Sequence, residues 1–214
     1  MICKYCGKEN PAISVYCGQC GSVVNTNPSH PFTILGDQLS GFREAPPANL
    51  TTLTIPEGVR VIQSGAFKEC TSVSTVIIPY GVTDILDHAF LNCRNLLSIS
   101  LPDTVTNLGV GVFEGCTYLR NVTLPRELAD ISDKMFFGCE NLTAVNIPPR
   151  TFRIGWNAFE GCKRLSGVYV PDGVSLILDR AFANCTSLYS ITVSQYATVV
   201  DTAFEGSPCR VIRR

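Results

Sequence analysis

Apolar residues recur along this chain with a fixed spacing of 23 residues. Three columns of aliphatic residues keep this spacing, and their first members are Leu53, Ile55 and Ile62. Phenylalanine keeps it as well, from Phe67 to Phe182. Because all of these columns stay in one phase, the pattern predicts a structural unit that repeats through most of the chain.

Proline and cysteine mark the same repeating unit. The prolines with this spacing are Pro56, Pro79, Pro102, Pro125, Pro148 and Pro171. The cysteines are Cys70, Cys93, Cys116, Cys139, Cys162 and Cys185. Proline lacks the N–H group that a sheet requires, so each proline is expected to end a strand.

Each unit is predicted to contain one short strand. In the segment VSTVIIP, Val76 and Ile78 alternate with residues that would face outward, and Pro79 then ends the strand. A coil of 23 residues cannot bury its apolar face alone, but coils stacked at roughly 4.8 Å share a core and form a parallel sheet. The predicted fold is therefore a repeat solenoid.

A short helical turn is predicted later in each unit. In the segment DHAFLNC, Asp87 is placed to cap a turn that contains Ala89 and Phe90. Equivalent positions in other units hold Ser64, Asp133 and Asp179. We therefore interpret these acids as caps rather than as catalytic groups.

The repeat, typified by LLSISLPDTVTNLGVGVFEGCTYL, resembles the BspA-type leucine-rich repeat, in which "IP", "AF" and "C" recur every 23 residues. The resemblance covers about residues 50 to 206. It implies a right-handed curved solenoid with its strands on the concave face and a role in binding other macromolecules. Some proteins of this family resemble surface adhesins.

The N-terminal segment CKYCGKENPAISVYCGQCG carries two C-x2-C pairs separated by ten residues. Four thiolates in two such pairs match the tetrahedral coordination of Zn²⁺ and leave no open position for catalysis. The pattern predicts one structural zinc ion held by Cys3, Cys6, Cys17 and Cys20. The segment also resembles the small zinc ribbon found at the start of bacterial proteins. Unmetallated thiols or a redox pair are the alternatives.

These patterns predict four parts of the chain. Residues 1–24 form the zinc ribbon, 25–33 a linker, 34–49 an N-terminal cap or half repeat, and 50–214 the solenoid. The solenoid ends in a degenerate cap, because Phe204 arrives one residue early and the proline and cysteine positions hold serine.

The six repeated cysteines admit two interpretations. Adjacent coils would bring their Cα atoms to roughly 5 Å, which is within disulfide range. However, every coil repeats the same side-chain direction, so a column of buried free thiols is the preferred prediction. Cys209 falls outside the column.

The overall charge and the apolar composition bear on two predictions, the kind of partner and the cellular location. The formal net charge is −1, so no strong field favours a nucleic acid or an anionic membrane. No signal peptide and no run of about 18 apolar residues is visible, which predicts a cytoplasmic protein. A location at the cell surface is the alternative.

The sequence offers no arrangement of residues typical of an enzyme. The two histidines, His30 and His88, lie in the predicted linker and at a variable turn position. No serine, histidine and acid set or phosphate-binding glycine loop stands out. We therefore predict a protein without enzymatic activity.

Binding of a protein partner is the preferred functional prediction. Side chains that face outward on the strands are small and mostly uncharged, and the candidate anchors beside them are Tyr80, Arg126 and Tyr169. Trp156 is a fourth candidate, either as a contact residue or as a side chain folded over its own coil. The alternatives are a cell-surface adhesin and a nucleic-acid-associated protein that uses the zinc ribbon.

Overall fold

A computed structural model describes residues 31–214, together with Glu9 alone in the preceding segment. The chain opens with an antiparallel hairpin, in which β1 (Phe32–Leu35) pairs with β2 (Gln38–Phe42). Strand β1 therefore begins within the predicted linker of residues 25–33. The predicted zinc ribbon, residues 1–24, lies outside the described residues apart from Glu9.

Each coil after the hairpin contributes two strands, one of three or four residues and one of two residues, and the last coil contributes only one. In chain order they are β3 (Thr52–Thr54), β4 (Val61–Ile62), β5 (Thr75–Ile77), β6 (Asp84–Ile85), β7 (Ser98–Ser100), β8 (Asn107–Leu108), β9 (Asn121–Thr123), β10 (Asp130–Ile131), β11 (Ala144–Asn146), β12 (Arg153–Ile154), β13 (Gly167–Tyr169), β14 (Leu176–Ile177), β15 (Ser190–Val193), β16 (Thr198–Val199) and β17 (Arg210–Arg213). The odd-numbered strands from β3 onward form one side of the stack, which we call the strand face. The even-numbered strands from β4 onward form a second side.

Strands of neighbouring coils pair in parallel at equivalent repeat positions, as predicted. Leu53 pairs with Val76, 23 residues later, and Ile62 pairs with Ile85. The strand face is continuous from β3 to β9, and β11 pairs with β13 and β15 with β17. No strand pairing joins β9 to β11 or β13 to β15 within the described residues.

The core runs along the axis of the stack. The six repeated phenylalanines are fully buried, and adjacent rings stack with centroids 5.0 to 5.7 Å apart. Phe204 continues this column against Phe182 at 5.4 Å, although it comes one residue early in the sequence. At the other end, Phe42 contacts Phe67 edge-on at 5.5 Å, so the hairpin covers the first coil.

The predicted short helical turns are wrong. Among the described residues, the only helix is a 3-10 turn at Asp201–Phe204. In the segment after Asp87, His88 and Asn92 have φ angles of 57°, in the left-handed region that a right-handed helix excludes. Backbone N–H groups of this segment donate alternately to carbonyls of their own turn and to carbonyls of the next coil. These hydrogen bonds connect neighbouring coils.

The acids assigned as helix caps have a related but different role. Oδ1 of Asp87 accepts a hydrogen bond from the N–H of Val110 at 2.8 Å. Oδ1 of Asp133 likewise accepts from the N–H of Trp156 at 3.0 Å. Each acid therefore satisfies a backbone donor of the following coil rather than one in its own turn.

The prediction of a column of buried free thiols is confirmed. All six repeated cysteines are free and buried. From the second coil onward each thiol donates to the phenylalanine carbonyl of the preceding coil, for example Cys116 to Phe90 at 3.2 Å. Ser207 occupies the cysteine position of the last coil, and its hydroxyl donates to the carbonyl of Phe182 at 2.7 Å.

Candidate interaction surface

The strand face presents small, mostly uncharged side chains. Outward residues of β3, β5, β7 and β9 are exposed, while the residue between them on each strand points into the core. The only large apolar side chain among these outward positions from β3 to β9 is Ile77. This part of the face is a rigid surface of hydroxyl and amide groups.

Tyr80 and Arg126 lie at the edge of the strand face, each directly after the proline that ends a strand. Tyr80 is 78% exposed. The backbone N–H of Arg126 donates to Oδ1 of Asp103 at 2.9 Å, and its guanidinium lies 3.8 Å from Oδ2 of the same residue. Both side chains are available to a partner, because Tyr80 is exposed and Arg126 is held only by an ion pair open to solvent.

Tyr169 lies on the strand face itself, at the end of β13, and is 58% exposed. The guanidinium of Arg214 lies 5.8 Å from the centre of its ring, within the range of a cation–π contact. Nε of Arg214 donates to Oδ1 of Asp172 at 2.7 Å. These contacts tie Arg214 to the coil of β13, past the intervening coil of β15.

Trp156 lies apart from the other three candidates. It follows β12 on the second side of the stack, whereas Tyr80, Arg126 and Tyr169 lie on or beside the strand face. Its side chain is 52% exposed, and Phe152, four residues earlier in the same coil, is equally exposed. Trp156 therefore stays a candidate contact residue, and Phe152 is a second exposed aromatic side chain of the same coil.

Phe152 and three tyrosines were missed by the sequence prediction. Tyr118, Tyr189 and Tyr196 are 50%, 70% and 84% exposed. Each occupies a variable repeat position, where other coils have polar residues such as Asn95 and Thr143. The sequence does contain a signal for these residues, namely an aromatic side chain at a repeat position that is polar in other coils. The sequence prediction used this signal only for Trp156.

Two pockets open at the ends of the strand face. The N-terminal pocket has a volume of about 430 Å³ and is mainly apolar, with Phe32, Phe42 and Leu50 among its lining residues. The C-terminal pocket has a volume of about 470 Å³ and is lined by residues of β11, β13 and β15 and by Arg214. Tyr169 is the only predicted anchor that lines either pocket.

Burial holds most of the repeated thiols in their protonated form. Burial raises the pKa of Cys116 and of Cys185 to about 12, and it raises the pKa of Cys139 well above its usual value. Cys70, at the N-terminal end of the column, differs because a hydrogen bond with Cys93 lowers its pKa. Cys209, outside the column, has a pKa raised to about 11 by burial.

The predicted zinc ligands Cys3, Cys6, Cys17 and Cys20 lie outside the described residues. In the part of the chain that the structure describes, no cluster of histidine, cysteine or acidic residues is suited to a metal ion. No helix among those same residues is long and apolar enough to cross a membrane.

Several solved structures share the coil stack. A leucine-rich repeat protein from Eubacterium ventriosum is 28% identical, covers 80% of this chain and superposes with a TM-score of 0.68. The T. pallidum leucine-rich repeat protein is 26% identical over 78% of this chain, which spans 85% of that protein, with a TM-score of 0.69. A leucine-rich cell surface protein from Faecalibacterium prausnitzii is 28% identical over 65% of this chain, with a TM-score of 0.54.

This chain spans less than half the length of two of these proteins, 46% for E. ventriosum and 47% for F. prausnitzii. No curated protein matches the sequence. Residues 42–166 and 83–210 match the family described as "BspA type Leucine rich repeat region (6 copies)". With its in-phase columns and parallel coils, the chain belongs to the BspA-type leucine-rich repeat family.

Proposed function

We propose that this chain is a non-enzymatic module that binds a partner protein along the strand face. The observation that carries the proposal is the placement of two exposed tyrosines, Tyr80 and Tyr169, on and beside a rigid sheet. Tyrosine and arginine are enriched among residues that dominate binding energy, and Arg126 lies on the same side. A sheet built from repeated coils loses little conformational freedom when it binds.

The test is capture of partner proteins from native lysate on the immobilised full chain. We expect Tyr80→Ala or Tyr169→Ala to abolish capture of at least one protein that the unmodified chain retains. Phe152→Ala is the matched control, since it removes a half-exposed aromatic ring directly before β12, on the second side of the stack. Binding at the strand face would be contradicted if only Trp156→Ala abolished capture, or if neither Tyr80→Ala nor Tyr169→Ala changed it.

We also propose that Cys3, Cys6, Cys17 and Cys20 hold one structural zinc ion. The spacing of the two C-x2-C pairs supports this, because four thiolates satisfy tetrahedral Zn²⁺. Cys6→Ser is expected to lower the zinc content of the purified chain from one equivalent to near zero. The melting temperature of the solenoid should stay unchanged, and an unchanged zinc content would reject the assignment.

A cell-surface binding protein is the second candidate function. It is favoured by the F. prausnitzii protein of 28% identity, which is described as a cell surface protein. The cytoplasmic location stays a prediction from the sequence. Fractionation of native cells separates the two candidates, because recovery only from the envelope or the medium would support the surface protein.

A further inference from the structure

The C-terminal pocket lies at the second of the two places where the described strand face loses its regular pairing. Strand β13 pairs with β11, and β15 pairs with β17, but no pairing joins β13 to β15. The pocket lies across this interruption and has a volume of about 470 Å³. We call it the seam pocket, and its floor and walls come from three consecutive coils and from Arg214. This volume falls in the range of small-molecule sites in proteins.

The floor of the seam pocket is made of small residues. Ala144, Gly167 and Ser190 occupy the same repeat position in three successive coils. The preceding coils have Thr75, Ser98 and Asn121 at this position, so only Ala144 and Gly167 lack a polar side chain there. Gly167 does not have a positive φ, and its strand geometry therefore does not explain why a glycine is present.

The polar groups around this floor are neutral and can both donate and accept hydrogen bonds. They belong to Asn146, Ser166, Ser190 and Thr192. Main-chain groups add to them, because Val168 and Ile191 also line the pocket at the unpaired junction. The ring of Tyr169 forms an aromatic wall beside them.

The one charged side chain in the lining is already neutralised. The guanidinium of Arg214 donates to Asp172 at 2.7 Å and to the carbonyl of Val170 at 2.8 Å. No acid lines the seam pocket. The pocket therefore offers neither a free cation for an anionic ligand nor a free carboxylate for a cationic one.

We propose that the seam pocket binds a neutral carbohydrate unit. Sugar hydroxyls both donate and accept hydrogen bonds, which matches the amide and hydroxyl groups of the lining. The apolar face of a sugar ring packs against an aromatic side chain, and Tyr169 supplies one that is more than half exposed. This site shares Tyr169 with the proposed protein-binding surface, whereas Tyr80 and Arg126 of that surface lie outside the pocket.

The experiment uses the full chain and a printed array of neutral, sialylated and sulfated glycans. The best neutral disaccharide is then titrated by NMR against the unmodified chain and its variants. Gly167→Val fills the floor, and it should fold because a Cβ at Gly167 would meet only the Cβ of Ala144, at 3.9 Å. Ser98→Val is the matched control, at the same repeat position three coils earlier.

We expect binding to neutral glycans that Tyr169→Ala and Gly167→Val each weaken roughly tenfold or more, because stacking and shape are both lost. Asn146→Ala, which removes an exposed amide, provides a second variant if Gly167→Val does not fold. Ser98→Val should bind as the unmodified chain does. The proposal is overturned by binding of acidic glycans only, by no glycan binding, or by binding that no pocket variant changes. Loss of protein capture in Tyr80→Ala is scored separately, so the two proposals fail independently.

Discussion

Phe113 represents the residues that hold neighbouring coils together. Its ring is fully buried between Phe90 and Phe136, with centroids 5.7 and 5.6 Å away and planes tilted by 10° and 12°. Each ring of the column thus packs on a coil before and a coil after its own. The sequence spacing was sufficient to predict this column, because a side chain repeated in phase must repeat its direction.

Truncation of the column should be costly. Phe113→Ala is expected to lower the free energy of unfolding by about 3 to 5 kcal/mol, the usual cost of removing a buried phenyl ring. Phe152→Ala removes a ring that is 52% exposed and should change it by only about 0.5 kcal/mol. Denaturant titration of both variants measures the difference. Equal losses in the free energy of unfolding would show that the buried phenylalanine column stabilises the protein no more than an exposed ring does.

The cysteine column gives the protein a specific response to alkaline pH. In the unfolded chain a thiol titrates near pH 8.5. In the folded chain burial raises the pKa of Cys116 to about 12 and raises the pKa of Cys139 and of Cys162 well above the usual value. Above pH 8.5 the unfolded chain therefore loses protons that the folded chain retains, so stability falls as pH rises.

This pH dependence of stability can be measured by replacing the buried cysteines with serine, whose hydroxyl does not titrate in this range. Ser207 shows that a hydroxyl makes the same hydrogen bond to a phenylalanine carbonyl. In reducing buffer, the free energy of unfolding should fall between pH 7.5 and 9.5 by up to about 1.4 kcal/mol per pH unit for each buried thiol. A variant with Cys116→Ser, Cys139→Ser and Cys162→Ser should fall less steeply. The same pH dependence in both proteins would contradict a titrating column.

At the scale of the element, strands were predictable and turns were not. Alternation of Val76 and Ile78 before Pro79 was enough to locate a strand of the strand face. The two-residue strands of the second side, such as β4, are too short to show a period, and the sequence prediction missed them. The turn was mistaken for a helix because left-handed positions hold His88, Lys134 and Arg180 as well as glycine.

Lys134 allows a test of this turn geometry. Its φ is 54°, and glycine occupies the same repeat position at Gly65 and Gly111. Lys134→Gly should leave stability unchanged or raise it by up to about 1 kcal/mol, because glycine adopts this conformation without steric cost. Lys134→Val should lower stability, since a β-branched side chain is strained there. Thermal denaturation of the two variants gives the comparison, and a more stable valine variant would exclude the left-handed turn.

At the scale of the whole molecule, the sequence predicted the stack but not the seam pocket. The columns of apolar residues define how coil follows coil, because each column needs the same neighbours in every repeat. The pocket lies across an interruption of strand pairing between β13 and β15, and Arg214, which returns to the coil of β13, lines it. These features come from the irregular end of the solenoid, where the repeat no longer specifies the contacts.

That irregular end also closes the strand face. Strand β17 pairs in parallel with β15, from Ser190 opposite Arg210 to Val193 opposite Arg213. Nη1 of Arg213 further donates to the carbonyls of Ser194 and Ala197 at 3.2 and 2.6 Å. A strand edge that is left open is a template for pairing with another chain. Strand β17 covers the edge of β15, and the new edge carries Arg210 and Arg213, whose charges oppose such pairing.

Deletion of residues 210–214 should therefore do more than lower stability. The shortened chain exposes the outer edge of β15, and we expect a lower melting temperature together with association that grows with protein concentration. Arg214→Gln is the matched control, since it removes the ion pair with Asp172 and leaves the strand in place. Sedimentation velocity at several concentrations measures association for the full chain and both variants. If the shortened chain sediments as the full chain does at every concentration, the edge of β15 does not need the cover that β17 provides.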